Sequence, residues 1–239
     1  MKLTAENVVK IQILKEEIHP LFRACEIGHL DMAATILQTG CDINATDDSG
    51  DTALFYAIRH QHEDVADYLI AKGADINIVD DMSVNPLLET IHSGLPTLAL
   101  RLIESGADIT VITHDGMTAL SIAANKGYFE ITKKLISSGA AINQPDSRGE
   151  TALMKAAHAK HEEVVKYLLS QGAHPDIRSR SGYTALMNAA YVGVANIVRL
   201  LLENGATRLI ENDQWRNAKD FANRNGHFDI IKLLETPAH

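Results

Sequence analysis

The side chains with chemical potential in this sequence are its histidines, its clustered acids and its two cysteines. His62-Glu63 and His161-Glu162 open like the helix of a zinc hydrolase, in which a second His four residues after the first completes the metal-binding pair. Ala66 and Val165 stand at those positions, so neither segment carries the pair. His60-x-His62 and His158-x-x-His161 each offer two imidazoles, but no neighbouring acid or Cys completes a ligand set. Asp47-Asp48-Ser49-Gly50-Asp51 is rich in carboxylates yet lacks the alternating acids and distal Glu of a helix-loop-helix calcium site, and reads as a solvated loop tip. Cys25 and Cys41 are too few for a disulfide framework and lack zinc-site spacing, so they read as small buried residues in a reducing, cytoplasmic protein. The chain holds no Gly-rich phosphate loop followed by Lys, no dinucleotide fingerprint and no Gly-x-Ser-x-Gly elbow. Enzymes built on those motifs are excluded, and the reading is a non-enzyme that needs no cofactor.

The elements that position these residues belong to a chain of 239 residues, 46% hydrophobic and 22% charged, which is enough to bury a large core. No apolar run approaches the roughly 18–20 residues of a membrane-spanning helix. The N-terminal stretch is interrupted by Glu6, Lys10, Lys15 and Glu16, with no cleavage site after it, so no secretory signal is expected. A net charge of −9 disfavours nucleic acid as a partner. That charge is uneven: residues 1–116 carry 7 Lys and Arg against 19 Asp and Glu, a net of −12, whereas residues 117–239 carry 15 against 12, a net of +3.

An internal period organises the whole sequence. Leu21, Leu54, Leu87, Leu120, Leu153 and Leu186 recur every 33 residues, and Gly40, Gly73, Gly106, Gly139, Gly172 and Gly205 keep the same spacing. Ala24, Ala57, Ala123, Ala156, Ala189 and Ala222 form a third column, with Thr90 as its exception. Within one unit, Thr151 to Ala157 starts a short helix and Lys160-His161 turns the chain. Val164, Val165, Leu168 and Leu169 then line one face of a second helix, which Gly172 stops. The Pro-, Ser- and Gly-containing stretch His174 to Gly182 leads to the next unit as an extended turn. Neither helix buries its stripe alone, so the units are expected to stack.

These columns, with helix starts of the type Thr151-Ala152-Leu153 and the run Gly73-Ala74-Asp75-Ile76-Asn77, resemble ankyrin repeats. The resemblance covers residues 19 to about 235 and is carried by six of seven units. It implies an all-α solenoid of seven helix-turn-helix units with protruding hairpin loops, whose first helices begin near 19, 52, 85, 118, 151, 184 and 217. Residues 1–18 are expected to form an N-terminal capping helix and 236–239 a tail. The seventh unit, with Trp215 in the loop Gly column, reads as a polar capping repeat; unit three has Ser83 in that column. The resemblance also implies a concave groove of first helices and loops that holds another protein.

Columns that hold the stack must stay alike, so those that vary between units are the candidates for recognition. The candidate binding residues are Arg59, His60, Met82, His92, Met117, Asn125, Lys126, Arg148, His158, Arg180, Tyr183, Tyr191, Trp215 and Arg216. Tyr, Trp, Met and Arg are the types that interface centres favour. Arg148, His158, Arg180, Tyr183, Tyr191 and Trp215 form the expected hot spot, with a plug over the last core layer as the structural alternative for Trp215. Asp47, Asp48, Asp51, Asp80 and Asp81 form a second surface that attracts a basic segment or maintains solubility, the latter preferred. The expected partner is a protein, in an adaptor or inhibitor role, with no membrane and a monomeric chain. The alternative is a metal- or small-molecule-responsive protein using His60, His92, His114 and His158. With His92 and His158 in the groove column, binding is expected to vary between about pH 5 and 7.5.

Overall fold

A computed structural model describes residues 19–235, so the capping helix expected over 1–18 and the tail at 236–239 lie outside the described residues. The chain divides into two compact units, Met1–Val111 and Ile112–His239. Among the described residues there are fourteen α-helices and no strand beyond two isolated bridges, in accord with the all-α expectation. In the first unit they are α1 (Pro20–Glu26), α2 (Leu30–Gln38), α3 (Ala53–Arg59), α4 (Glu63–Ala71), α5 (Pro86–Ser93) and α6 (Pro96–Glu104). In the second they are α7 (Ala119–Lys126), α8 (Phe129–Ser137), α9 (Ala152–His158), α10 (Glu162–Ser170), α11 (Ala185–Val192), α12 (Ala195–Glu203), α13 (Ala218–Arg224) and α14 (Phe228–Glu235).

Each odd-numbered helix packs against the even-numbered helix that follows it, and within each unit first helices pack on first helices. The helix starts follow from their capping residues. Asn85 Oδ1 accepts from the Leu88 amide at 2.9 Å, Thr118 Oγ1 from Ser121 at 3.1 Å, and Thr151 and Thr184 from Met154 and Met187 at 3.4 Å each. The column leucines Leu21, Leu54, Leu87, Leu120, Leu153 and Leu186 are buried, as are the small residues of the Ala column, which let first helices approach closely. Burial of each such leucine contributes roughly 1.5–3 kcal/mol, and the contribution requires a neighbouring repeat.

Two further ladders tie adjacent repeats. The side-chain oxygen of Asn44 accepts the amide of Asp75, that of Asn77 the amide of Asp108, that of Asn143 the amide of His174 and that of Asp176 the amide of Thr207, at 2.8–2.9 Å. At the hairpin tips, Ser147 N–H donates to Asp115 O at 2.9 Å, Arg180 N–H to Arg148 O at 2.8 Å and Asp213 N–H to Ser181 O at 3.3 Å. Glycine at the tip makes this approach possible. A Cβ built on Gly149 would lie 2.7 Å from the Arg180 nitrogen, and one on Gly182 would lie 2.8 Å from Asn212 Cα.

The histidines that open like metal ligands are structural. The Nε2 atoms of His62, His161 and His227 lie 3.1, 3.0 and 3.2 Å from the carbonyl oxygens of Glu26, Asn125 and Tyr191 in the preceding repeat. A carbonyl only accepts, so each Nε2 carries the proton. His29 instead caps its own helix, its Nδ1 accepting from Met32 N–H at 3.2 Å. Each clamping ring fills the space a side chain would need on Gly28, Gly127 or Gly193, where a Cβ would stand 2.4 Å from it. Where the next repeat has Leu95 or Val194 instead of His, the corresponding turn residues are Gln61 and Lys160, at φ +62° and +68°. Glycine and histidine therefore form a coupled pair across repeats at Gly28–His62, Gly127–His161 and Gly193–His227, while Gly94 is followed by Tyr128 in that position.

That coupling is measurable by a double-mutant cycle read in urea. Gly127→Ala is expected to lower stability by about 2 kcal/mol, through its positive φ and the clash with His161. Adding His161→Ala is expected to recover about 1 kcal/mol of that loss relative to additivity; strict additivity would contradict the pairing.

Candidate functional site

The loops and the exposed ends of the first helices hold the candidate residues. In each loop one side chain organises the hairpin. Asp47 Oδ1 accepts the amides of Ser49 and Asp51, Asp80 Oδ1 those of Met82 and Val84, Asp146 Oδ1 those of Arg148 and Glu150, and Asn212 Oδ1 those of Gln214 and Arg216. The hairpin then alternates. Met82, Asp115, Arg148, Ser181 and Gln214 are exposed at the tip, whereas the residues two positions on, Asp51, Val84, Met117, Glu150, Tyr183 and Arg216, turn inward and are buried or half-buried.

In the first unit the inward column builds an ion-pair hub. The Arg59 guanidinium pairs with Asp51, with Asp80 at 3.1 Å and with Glu89 at 3.3 Å, and lies 5.3 Å from the centroid of the Phe55 ring. Burial pushes the Asp51 carboxyl up even beside Arg59, because its Oδ1 is buried without a hydrogen-bond partner. Asp47 is engaged by its loop amides and by the Tyr56 hydroxyl at 2.8 Å; burial and that bond push the Tyr56 phenol up to about 12. Three of the five acids of the expected acidic surface, Asp47, Asp51 and Asp80, are thus committed within the repeats, leaving Asp48 and Asp81 exposed. His60, Met82 and His92 are exposed in this unit. Cys25 is buried, with its thiol raised to about 12 by that burial, while Cys41 is only half-buried, its Sγ 3.7 Å from His19 Nε2. Cys41 therefore departs from the fully buried position expected for it.

In the second unit the same loop-to-helix spacing joins Asp146 to Lys155, whose Nζ lies 2.7 Å from Asp146 Oδ2 and 3.0 Å from Glu150 Oε2 while 7% exposed. Burial alone would raise the Asp146 carboxyl, but the Lys155 ammonium and the loop amides outweigh it and hold Asp146 below the ordinary carboxylate value. One repeat on, the column brings aromatic rings together. Tyr183 lies 5.4 Å from Phe221, and Tyr191 stands edge-on to Phe221 at 6.3 Å. His158 stacks parallel to Tyr191 at 6.2 Å. Tyr191 is 49% exposed, so this platform is open to solvent.

The structure thus brings His158, Tyr183 and Tyr191 together through Phe221, which sequence reading did not single out. Its signal was available: Phe221 follows the loop-organising Asn212 by nine residues, as Lys155 follows Asp146 and Tyr56 follows Asp47. Arg148 is exposed and pairs with Glu150 at 2.9 Å. Asn125 and Arg180 are exposed; Met117, Lys126 and Arg216 are half-buried. Trp215 is 82% exposed at the tip of the last described loop, which overturns the plug alternative. Leu209 and Phe228 are also exposed, so the last repeat is not the polar cap expected of it. Among the described residues no three His, Cys, Asp or Glu side chains gather to hold a metal ion, and His60, His92, His114 and His158 do not form one ladder: His60 and His114 stand in different columns from His92 and His158.

A family model described as ankyrin repeats, in three copies, matches residues 2–80, 87–179 and 171–238. The crystal structure of the human ASB11 ankyrin repeat domain matches with a TM-score of 0.79 at 25% identity, covering 93% of this chain and 100% of that one. No curated protein matches the chain.

Two stability measurements follow from the ion pairs. Arg59→Ala strands three carboxylates and is expected to cost about 2 kcal/mol in urea unfolding, less than a fully buried pair because the guanidinium is 38% exposed; a loss below about 0.5 kcal/mol would contradict the hub. For Asp146, the depressed folded value means its stabilisation is present above the unfolded value near 3.8 and disappears as pH falls through the folded value. Lys155→Met is expected to flatten that acid dependence in pH-resolved melting curves, and an unchanged slope would remove Lys155 as its cause.

Proposed function

Because the chain belongs to the ankyrin-repeat family, whose repeats generally mediate protein–protein interaction, we propose that it is a non-enzymatic binding scaffold. In this reading it takes its partner protein on the loop tips and first-helix ends of the second unit, with Arg148, His158, Arg180, Tyr183, Tyr191 and Trp215 as the recognition surface. Asn125, Lys126, Met117 and Arg216 extend that surface, and His60, Met82 and His92 belong to the face of the first unit. Arg59 acts there by tying the loops that carry Asp51 and Asp80 to Glu89 on α5. The reading extends to a monomer of seven repeats over residues 19–235, in a cytoplasmic setting where Cys25 and Cys41 remain thiols.

The observation that carries this reading is Trp215. It occupies the tip column held by Gly50, Gly116, Gly149 and Gly182 and keeps their left-handed backbone, at φ +57°. Such a conformation costs a residue with a Cβ about 1 kcal/mol. The side chain recovers nothing by burial, since it is 82% exposed. Strain without burial is accounted for when the indole serves a contact outside the chain. The platform of His158, Tyr191 and Phe221 supports the same conclusion, as rigid aromatic groups bury much area on binding at little entropic cost.

Trp215→Gly is therefore expected to raise stability by about 1 kcal/mol while weakening partner capture. Quantitative mass spectrometry of proteins retained from a lysate on immobilised native chain, and on a folded Trp215→Gly, Tyr191→Ala variant, reads the second effect. At least a tenfold drop in a specifically retained protein is expected; equal retention on both baits would move the site off this face.

A further inference from the structure

The exposed face of the second unit carries cations that the fold does not use. Lys126, Arg180, Arg216 and Arg224 form no ion pair among the described residues and are exposed or half-buried on the loops and first-helix ends. Several of the acids beside them are paired with other cations: Asp146 and Glu150 with Lys155, Glu150 also with Arg148, and Asp213 with Arg178 at 3.7 Å. Asp115, Glu211 and Asp220 remain as exposed acids without an ion pair, Asp220 being held only by the neutral Asn217 amide at 2.9 Å. Four unpaired cations against three unpaired acids leave a small positive excess on the face that carries His158, Tyr191 and Trp215, in a chain whose overall charge is −9.

Resting on the interaction reading above, we infer that this face recognises an extended acidic segment of a partner protein that carries an aromatic residue among its acids. Cations without internal partners are satisfied by carboxylates that arrive with the ligand. The spacing matches. First helices of adjacent repeats pack about 10 Å apart, and an extended chain advances about 3.3 Å per residue, so acids three positions apart meet successive repeats. The half-exposed Tyr191, backed by His158 at 6.2 Å and Phe221 at 6.3 Å, offers a ring surface for the aromatic side chain between them. A basic segment is opposed by the same four cations.

The test is selection of random peptides displayed on phage against the full chain, followed by affinity measurement of the enriched sequences as synthetic peptides. Enriched peptides are expected to carry Asp or Glu at three-residue spacing around a Phe, Tyr or Trp. Their affinity should fall at least tenfold in the Arg180→Glu, Arg216→Glu, Arg224→Glu chain, fall less in the corresponding Gln variant, and weaken between about 0.05 and 0.5 M salt. Because these arginines hold no ion pair, the variants should melt like the native chain. Neutral or basic peptides that bind the same face, judged by loss with Tyr191→Ala, would overturn the acidic class and leave the interaction reading intact. Acidic peptides indifferent to the charge reversals, or no enrichment while capture still retains a partner, would also overturn it. Absence of both enrichment and capture would remove the interaction reading itself.

Discussion

Everything in this chain depends on the fact that a single helix pair is too small to bury its own apolar stripe. The leucines every 33 residues are buried only because a neighbouring repeat covers them. Stacking therefore dictates which positions are fixed: small residues between first helices, Asn side chains that receive the next repeat's amide, and glycine wherever the next repeat comes within van der Waals distance. Positions that do not touch a neighbouring repeat escape this constraint, and those positions hold the differences between repeats.

The same rule explains the departures from the repeat. Gly28, Gly127 and Gly193 at first-helix turns accompany a clamping histidine in the following repeat, Gly94 precedes Tyr128 instead, and Gln61 and Lys160 replace the glycine where Leu95 or Val194 follows. In the last described repeat, Leu209 stands in the column of the amide-receiving Asn and Trp215 in the column of the tip Gly. Both side chains are exposed, at 80% and 82%. Exposed apolar groups occupy the places that would otherwise serve stacking.

Fold was legible in the sequence because a 33-residue period imposes itself on every stacking column at once. Individual roles were less legible, because a side chain's partner often lies a repeat away or across its hairpin. Arg59 looked like a free groove cation, yet three carboxylates on two loops and a helix enclose it. His62 and His161 read from the sequence as structural rings that bond neighbouring backbone, but which carbonyl of the preceding repeat each one meets is visible only in the structure. Phe221 is not distinguished by its neighbours in sequence, Asp220 and Ala222, which reveal nothing of Tyr183 and Tyr191 converging on it from the preceding repeat. For Trp215 the sequence allows both a plug and an anchor, since it does not report exposure.

The central claim is that the chain separates residues that hold the stack from residues left free for recognition. Urea unfolding of single variants of the full chain tests it most directly. Leu186→Ala is predicted to cost about 2–5 kcal/mol, whereas Arg180→Ala and Tyr191→Ala are predicted to cost less than about 1 kcal/mol each. Losses at Arg180 and Tyr191 as large as that at Leu186 would contradict the account, by showing that the exposed face is part of what holds the repeats together.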